Sequence, residues 1–215
     1  MNLLAKQTNE LVLIRYALGM SLSSRSEHTR ARLLAAARSE FAAHGMSGAR
    51  VDRIALHAGI NKERIYSHFG SKADLFTAVV AQALSEHAAK VGPPCGDLGE
   101  YAGRIFDFHR DNPEMTRLMM WEALHYGSDL LPDEQLRSGH YARKAAALAE
   151  ATGAPLDDEA AAATFLAVVG IAVWPLAFPQ MTRLILGRGP EGVPDTRSYV
   201  VAVARTLPEL DKRTE

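Results

Sequence analysis

Lys62, Glu63, Arg64, Tyr66, Ser67, His68 and Lys72 gather polar side chains of several chemistries into one short stretch. At about 100° per residue, Glu63, Arg64 and Ser67 leave one side of a helix, Ile65 and Phe69 the other, and Tyr66 and His68 stand on the flanks. A helix fits the major groove of B-DNA, where arginine donates twice to guanine and a carboxylate accepts from the cytosine amino group. That chemistry makes Arg64, Glu63 and Lys62 the expected base readers. Tyr66, His68 and Lys72 bring hydroxyl, imidazole and ammonium groups within reach of phosphates, which fixes register rather than sequence.

A second set of candidates lies further on. Tyr101, Ala102, Ile105 and His109 share one helical face, and Met115, Met119, Glu122 and Tyr126 share another. Two ionisable groups thus sit on apolar stripes, where burial is costly without a partner, so His109 and Glu122 are expected to contact each other, a structural partner or a ligand. A small-molecule pocket is the functional expectation, with Phe106, Met119, Tyr126 and Trp174 as apolar walls and His109 and Glu122 as orienting groups. Glu122-x-x-His125 has the spacing used by dimetal helical bundles, but such sites need the motif twice and it occurs once. There is no G-x-S-x-G elbow and no Gly-rich phosphate loop. No enzyme activity, metal or cofactor is expected.

The elements that must position the first cluster are legible around it. Val51, Ile54, Ala55 and Ala58 line one side of a short helix. Gly59 then permits a sharp turn at positive φ, and Asn61 supplies a side-chain oxygen to cap the next helix. Upstream, Leu33, Leu34, Ala37 and Phe41 form a stripe that packs on both, with Gly45 ending the run. Arg25, Arg30 and Arg32 could serve as a basic arm or as solubilising charge.

Ile54-Ala55, Ala58-Gly59-Ile60-Asn61, Tyr66-Ser67-His68-Phe69, Ser71-Lys72 and Leu75 resemble the signature of TetR-family (tetracycline-repressor-like) transcriptional regulators over about residues 28 to 90. The resemblance implies an all-α chain: a three-helix helix-turn-helix head, a linking helix from near Lys72, and a helical body that binds an effector and dimerises. Where the family often carries threonines before the first motif helix, this chain has Ala49 and Arg50, so Arg50 becomes a charged candidate for DNA contact. A homodimer would read a roughly palindromic operator.

The expected organisation is an N-terminal extension over 1–24, loosely ordered, a DNA-binding head over 25–72, and an effector-binding and dimerisation body over 73–215. Met1 and Met20 are both candidate starts. Expected body helices are Lys72 to Lys90, Leu98 to Asp111, Pro113 to Tyr126, Asp133 to Thr152, Asp157 to Phe178 and Asp195 to Leu210. The Asp157–Phe178 segment is apolar almost all round and must be covered all round. It is therefore expected to pair with a second subunit, alongside Asp195–Leu210, with burial inside one subunit as the competing account. A body that binds a protein partner instead of a small molecule is a further alternative.

Charge supports the division. The net charge of −1 hides residues 1–72, with 11 Lys and Arg against 5 Asp and Glu, and residues 73–215, with 13 against 20. A basic head and acidic body suit a protein that meets DNA by one end. Cys95, the single cysteine, excludes an internal disulfide and suits a reducing compartment. The apolar run Leu11 to Ile14 is too short for a signal peptide, and no run is expected to span a bilayer. The expected location is the cytoplasm.

Overall fold

The computed structural model describes residues 4–153, 158–188 and 195–210, and the described residues contain helices and turns without strands. They form α1 (Leu4–Gly48), α2 (Val51–Ala58), α3 (Lys62–Phe69), α4 (Lys72–Val91), α5 (Leu98–Asp111), α6 (Pro113–Tyr126), α7 (Glu134–Thr152), α8 (Asp158–Ala177), α9 (Pro179–Ile185) and α10 (Arg197–Leu210). The chain divides into two compact units, Met1–Val79 and Val80–Glu215. The division falls inside α4, whereas the sequence suggests a boundary at Lys72.

In the first unit, Leu33, Leu34, Ala37 and Phe41 of α1 are buried together with Val51, Ile54, Ala55 and Ala58 of α2, Ile65 of α3, and Leu75 and Phe76 of α4. Phe41 and Phe76 meet edge to face at 5.0 Å between ring centres. Each large side chain fully withdrawn from water contributes about 2 kcal/mol, which is what lets so short a pair as α2 and α3 hold a fixed pose. Gly45 leaves helical geometry at φ 65 and ψ −179, so the run ends where the glycine predicts. α1 begins at Leu4 with a helical backbone through residue 24. Met1–Leu3 and the Arg25 side chain lie outside the described residues.

The second unit is organised on α5, which packs against α6, α8 and α10. Two glycines make the α10 contact close: a Cβ at Gly99 would stand 2.6 Å from the Val201 carbonyl oxygen, and one at Gly103 2.9 Å from the Arg197 guanidinium. Ion pairs flank this contact, with Arg197 Nε 2.9 Å from Asp107 and Arg205 Nε 2.8 Å from Asp97. Burial pushes the Asp97 carboxyl up, but Arg205 and the Glu100 and Gly99 amides outweigh it and hold the group below its usual range.

Three sequence expectations need correction here. α8 runs Asp158–Ala177, with Asp157 outside the described residues, and a separate short helix, α9, follows because Pro179 starts a new first turn. α10 begins at Arg197, later than Asp195, since the Asp195 carboxylate accepts from the Arg197 amide and so stands outside the helix. Contrary to the expectation that no run could span a bilayer, Glu159–Ala177 is long and apolar enough by length and composition, with a mean hydropathy of 2.0. Ala161, Val168 and Ala172 of α8 are buried, while Leu166 is 72% and Trp174 49% exposed, so one subunit covers only part of this helix.

Candidate functional site

The turn between α2 and α3 follows from its residues. Gly59 takes the left-handed conformation, φ 60 and ψ 38, and donates to the Leu56 carbonyl while Ile60 donates to Ala55, both at 3.0 Å. Arg32 donates to the Ala58 carbonyl at the end of α2. Asn61 then accepts from the Glu63 amide at 3.2 Å, capping α3. Ile65 anchors α3 from below, at 1% exposure. Phe69, expected beside it on the inner face, is only half-buried, with Arg30 stacked 5.2 Å from its ring centre. Arg30 and Arg32 therefore have partners within the head rather than forming a free arm.

A buried carboxylate missing from the sequence reading locks α1 to α2. Glu40, 5% exposed, accepts from Arg53 Nε at 2.8 Å and from the Arg50 amide at 2.8 Å. Burial raises its pKa, yet the hydrogen bonds from Arg53 and Arg50 win and the carboxyl stays below its usual range. Arg50 thus fixes the start of α2 through its backbone, leaving its exposed side chain available. Glu40 carried no signal in the sequence because its partner is thirteen residues away on another helix.

On the outer face of α3, the Glu63, Arg64, Tyr66 and Ser67 side chains are exposed, and His68 and Lys72 are half-buried. Arg64 and Glu63 have no side-chain partner among the described residues, whereas Ser67 Oγ donates to the Arg64 carbonyl at 3.0 Å. Lys62 Nζ stands 2.8 Å from Asp52, and that hydrogen bond raises the lysine pKa. An exposed pair of this kind is weak and screened by salt, so it holds Lys62 only loosely away from a competing anion.

The second unit holds a cavity of about 320 Å³ lined from α4, α5, α6, α7 and α8. Its apolar wall includes Leu84, Ile105, Met115, Met119, Met120, Phe165, Val169 and Val173, and its polar groups are His87, Tyr101, His109, Thr116, His140, Tyr141 and Lys144. Of the residues expected to line a pocket, His109 and Met119 line this cavity. Phe106, Glu122, Tyr126 and Trp174 do not line it, for separable reasons. Phe106 is buried one helical step round α5 from Ile105. Glu122 is held by Arg137 in a two-pronged pair, with oxygens 2.6 and 2.9 Å from the guanidinium, so it needs neither His109 nor a ligand. Tyr126 meets His125 edge to face at the end of α6, and Trp174 faces outward with its ring 4.3 Å from that of Phe178.

His109 shares a 2.8 Å hydrogen bond between Nδ1 and Thr116 Oγ1, and its ring centre is 5.4 Å from that of His87. Burial pushes both imidazoles down to about 4, with the neighbouring His109, Lys144 and His140 adding to the effect on His87. Both are neutral at pH 7. Tyr101, pushed up to about 12 by burial, is a neutral donor. The described residues offer no group of three His, Cys, Asp or Glu placed to hold a metal, and the dimetal alternative loses Glu122 to Arg137 and leaves His125 on the surface. The helical period puts Tyr101 on the His109 face but not on a pocket wall, and it does not point to Met120, Phe165 and Lys144 there, because a cavity between five helices is set by packing rather than by the period of any one of them.

Residues 33–79 match the family model described as bacterial regulatory proteins of the tetR family, and residues 97–205 match the tetracyclin repressor-like C-terminal domain. The chain is 38% identical over 183 residues to the HTH-type transcriptional repressor SCO4008 of Streptomyces coelicolor, covering 84% of this chain and 95% of that one. It is 29% identical over 123 residues to the HTH-type transcriptional repressor NicS of Pseudomonas putida, covering 54% of this chain and 58% of the other. Among solved structures, the putative transcriptional regulator SCO4942 from Streptomyces coelicolor superposes with a TM-score of 0.69 at 30% identity, covering 83% of this chain and 97% of that one.

Proposed function

We propose, from the premise that this chain belongs to the TetR family of bacterial regulatory proteins, that it is a cytoplasmic repressor whose dimer binds a roughly palindromic operator and is released by a small, largely apolar effector. The family places it among DNA-binding transcriptional regulators and not among enzymes. The observation that carries the rest is the presence in one chain of an exposed polar face on α3 and a largely apolar cavity in the second unit. In this reading Arg64 and Glu63 read bases, and Lys62 joins them when phosphate or base competes with Asp52. Arg50, Tyr66, Ser67, His68 and Lys72 set register on the backbone.

α4 supports the link between the two activities. It gives Leu75 and Phe76 to the core of the first unit and Leu84 and His87 to the cavity wall of the second. A ligand that favours one pose of α4 over another biases the head, and it does so only by its difference in affinity for the two states. Effector and DNA must then weaken one another by the same factor. The effector contacts in this reading are His109 and Met119 together with Tyr101, Met120, Phe165 and Lys144, while Phe106 packs in the core, Glu122 pairs with Arg137, Tyr126 meets His125, and Trp174 faces outward.

The test is selection of bound fragments from random duplex DNA, followed by titration of the best sequence with wild type, Arg64→Ala and Lys72→Ala. A palindrome should emerge. Arg64→Ala should cost about 1 to 3 kcal/mol and relax preference at one base position, and Lys72→Ala should weaken every sequence alike. Enrichment of no sequence by folded, ligand-free protein would end the operator reading.

A further inference from the structure

Among the described residues, Lys144 is the only side chain on the cavity wall that carries charge at neutral pH, since the other ionisable groups described there are imidazoles and phenols, with no carboxylate. It is 7% exposed. Its Nζ donates to the Gly92 carbonyl at 3.0 Å and reaches the Tyr101 hydroxyl at 3.4 Å, with the Tyr101 ring centre 5.8 Å away. All of these partners are neutral. Among the described residues no carboxylate pairs with it, in contrast to Arg137, which stands beside both Glu122 and Asp133. A buried cation without a counter-ion is a standing cost, and an ammonium has a third donor to give. Burial, and then the positive charge of Arg104, push the Lys144 pKa down, as expected where nothing negative is near.

We propose that the cavity takes an apolar molecule bearing one carboxylate-like anionic group, seated with that group on Lys144 and the Tyr101 hydroxyl and its hydrocarbon body against Met119, Met120, Phe165 and Val169. The inference rests on the reading that the second unit senses a small molecule, and it names that molecule's chemistry. Charge excludes the opposite class, because a cation would enter a wall that already holds an unneutralised ammonium. A neutral ligand would leave the ammonium as unpaired as it is now. The adjoining depression shares Leu84, His140 and Tyr141 with the cavity and adds Asp133 and Arg137, which pair with each other, and Arg143, an exposed guanidinium with no ion-pair partner among the described residues. Its charged lining is therefore positive on balance, the same sign as the cavity's.

The test is calorimetric titration of the free, full-length protein, without DNA, with n-alkanoates of roughly six to ten carbons, since each buried methylene adds binding energy in even steps. The alcohols and alkylammonium ions of the same lengths serve as controls. The best alkanoate should bind about tenfold or more tighter than its alcohol, and the alkylammonium weakest, because a charge-assisted hydrogen bond is worth more than a neutral one. Lys144→Met, close to lysine in shape, should bring acid and alcohol level, and Lys144→Gln does the same if the first variant fails to fold. Alcohol or ammonium matching the acid on wild type, acid binding unchanged in both variants, or no alkanoate binding at any length would each overturn the proposal. Preference for the acid without any effect on operator binding would uphold the ligand class and strike the regulatory reading instead.

Discussion

His109 and His87 show how burial writes a pH dependence into single residues. In the unfolded chain both titrate near 6.5, and in the folded protein both are pushed down to about 4. Above pH 6.5 they are neutral in either state and their contribution to stability is fully present. Between about 6.5 and 4 the unfolded chain binds protons that the folded chain refuses, so stability falls as pH falls through that window, by up to about 3 kcal/mol per imidazole. Thermal melts from about pH 7.5 down to about 3.5, a range that brackets this window, should show this slope, and His109→Asn should roughly halve it while keeping a polar partner for Thr116. An unchanged slope in that variant would assign the acid sensitivity to other groups. At this scale the sequence revealed that His109 was anomalous, because an imidazole stood on an apolar stripe. It could not reveal Thr116, Arg137 or Lys144 as the answers, since each lies on a different turn or helix from the group it satisfies or faces.

Helices were legible where local signals agreed, and α2 and α3 are the clearest case, with apolar spacing, a glycine turn and an asparagine cap all indicating the same bounds. α9 was not legible, because Pro175, Phe178 and Pro179 lie within one apolar run and periodicity cannot say at which proline the helix restarts. On the cavity wall the choice of Phe106 instead of Ile105 was an error of about one residue, or 100° of helix, and it turned the side chain from the cavity into the core. The turn element itself is open to test through Gly59. Its φ of 60 places any other residue in a conformation costing about 1 to 2 kcal/mol, and a Cβ would meet the Arg32 guanidinium at 2.8 Å. Gly59→Ala should therefore lower stability in urea by about 2 to 3 kcal/mol, the excess over backbone strain coming from the disturbed bond to Ala58. In an Arg32→Ala background the same substitution should cost only the strain term. Equal costs in both backgrounds would separate Arg32 from the turn.

For the whole molecule, the unanswered demand is the outer face of α8. Leu166 and Trp174 on α8, Leu184 and Ile185 on α9, and Tyr199 and Val203 on α10 are all exposed, and Gly170, between Leu166 and Trp174, has open space where a Cβ would be. Exposed apolar side chains on helices that pack together call for a partner, and a bare glycine among them lets another helix approach closely. Lipid and a second copy are the two candidates that composition allows. They differ in what they require of the opposite face, since a membrane helix needs apolar surroundings throughout, whereas Val169 and Val173 of α8 line a cavity that also holds histidines and a lysine. That arrangement favours a second copy, which would also supply the two heads that a two-fold operator needs. Leu166→Asp puts an unpaired charge on this face, and light scattering after size exclusion should show wild type at twice the chain mass and the variant at the chain mass. The variant should keep its helical content and still bind the alkanoate, because its cavity lies within one subunit, yet lose most of its affinity for the full operator and bind it no more tightly than an isolated half-site. A wild-type protein that is monomeric without detergent would reject the self-pairing account, and a variant that remains dimeric would move the interface off α8.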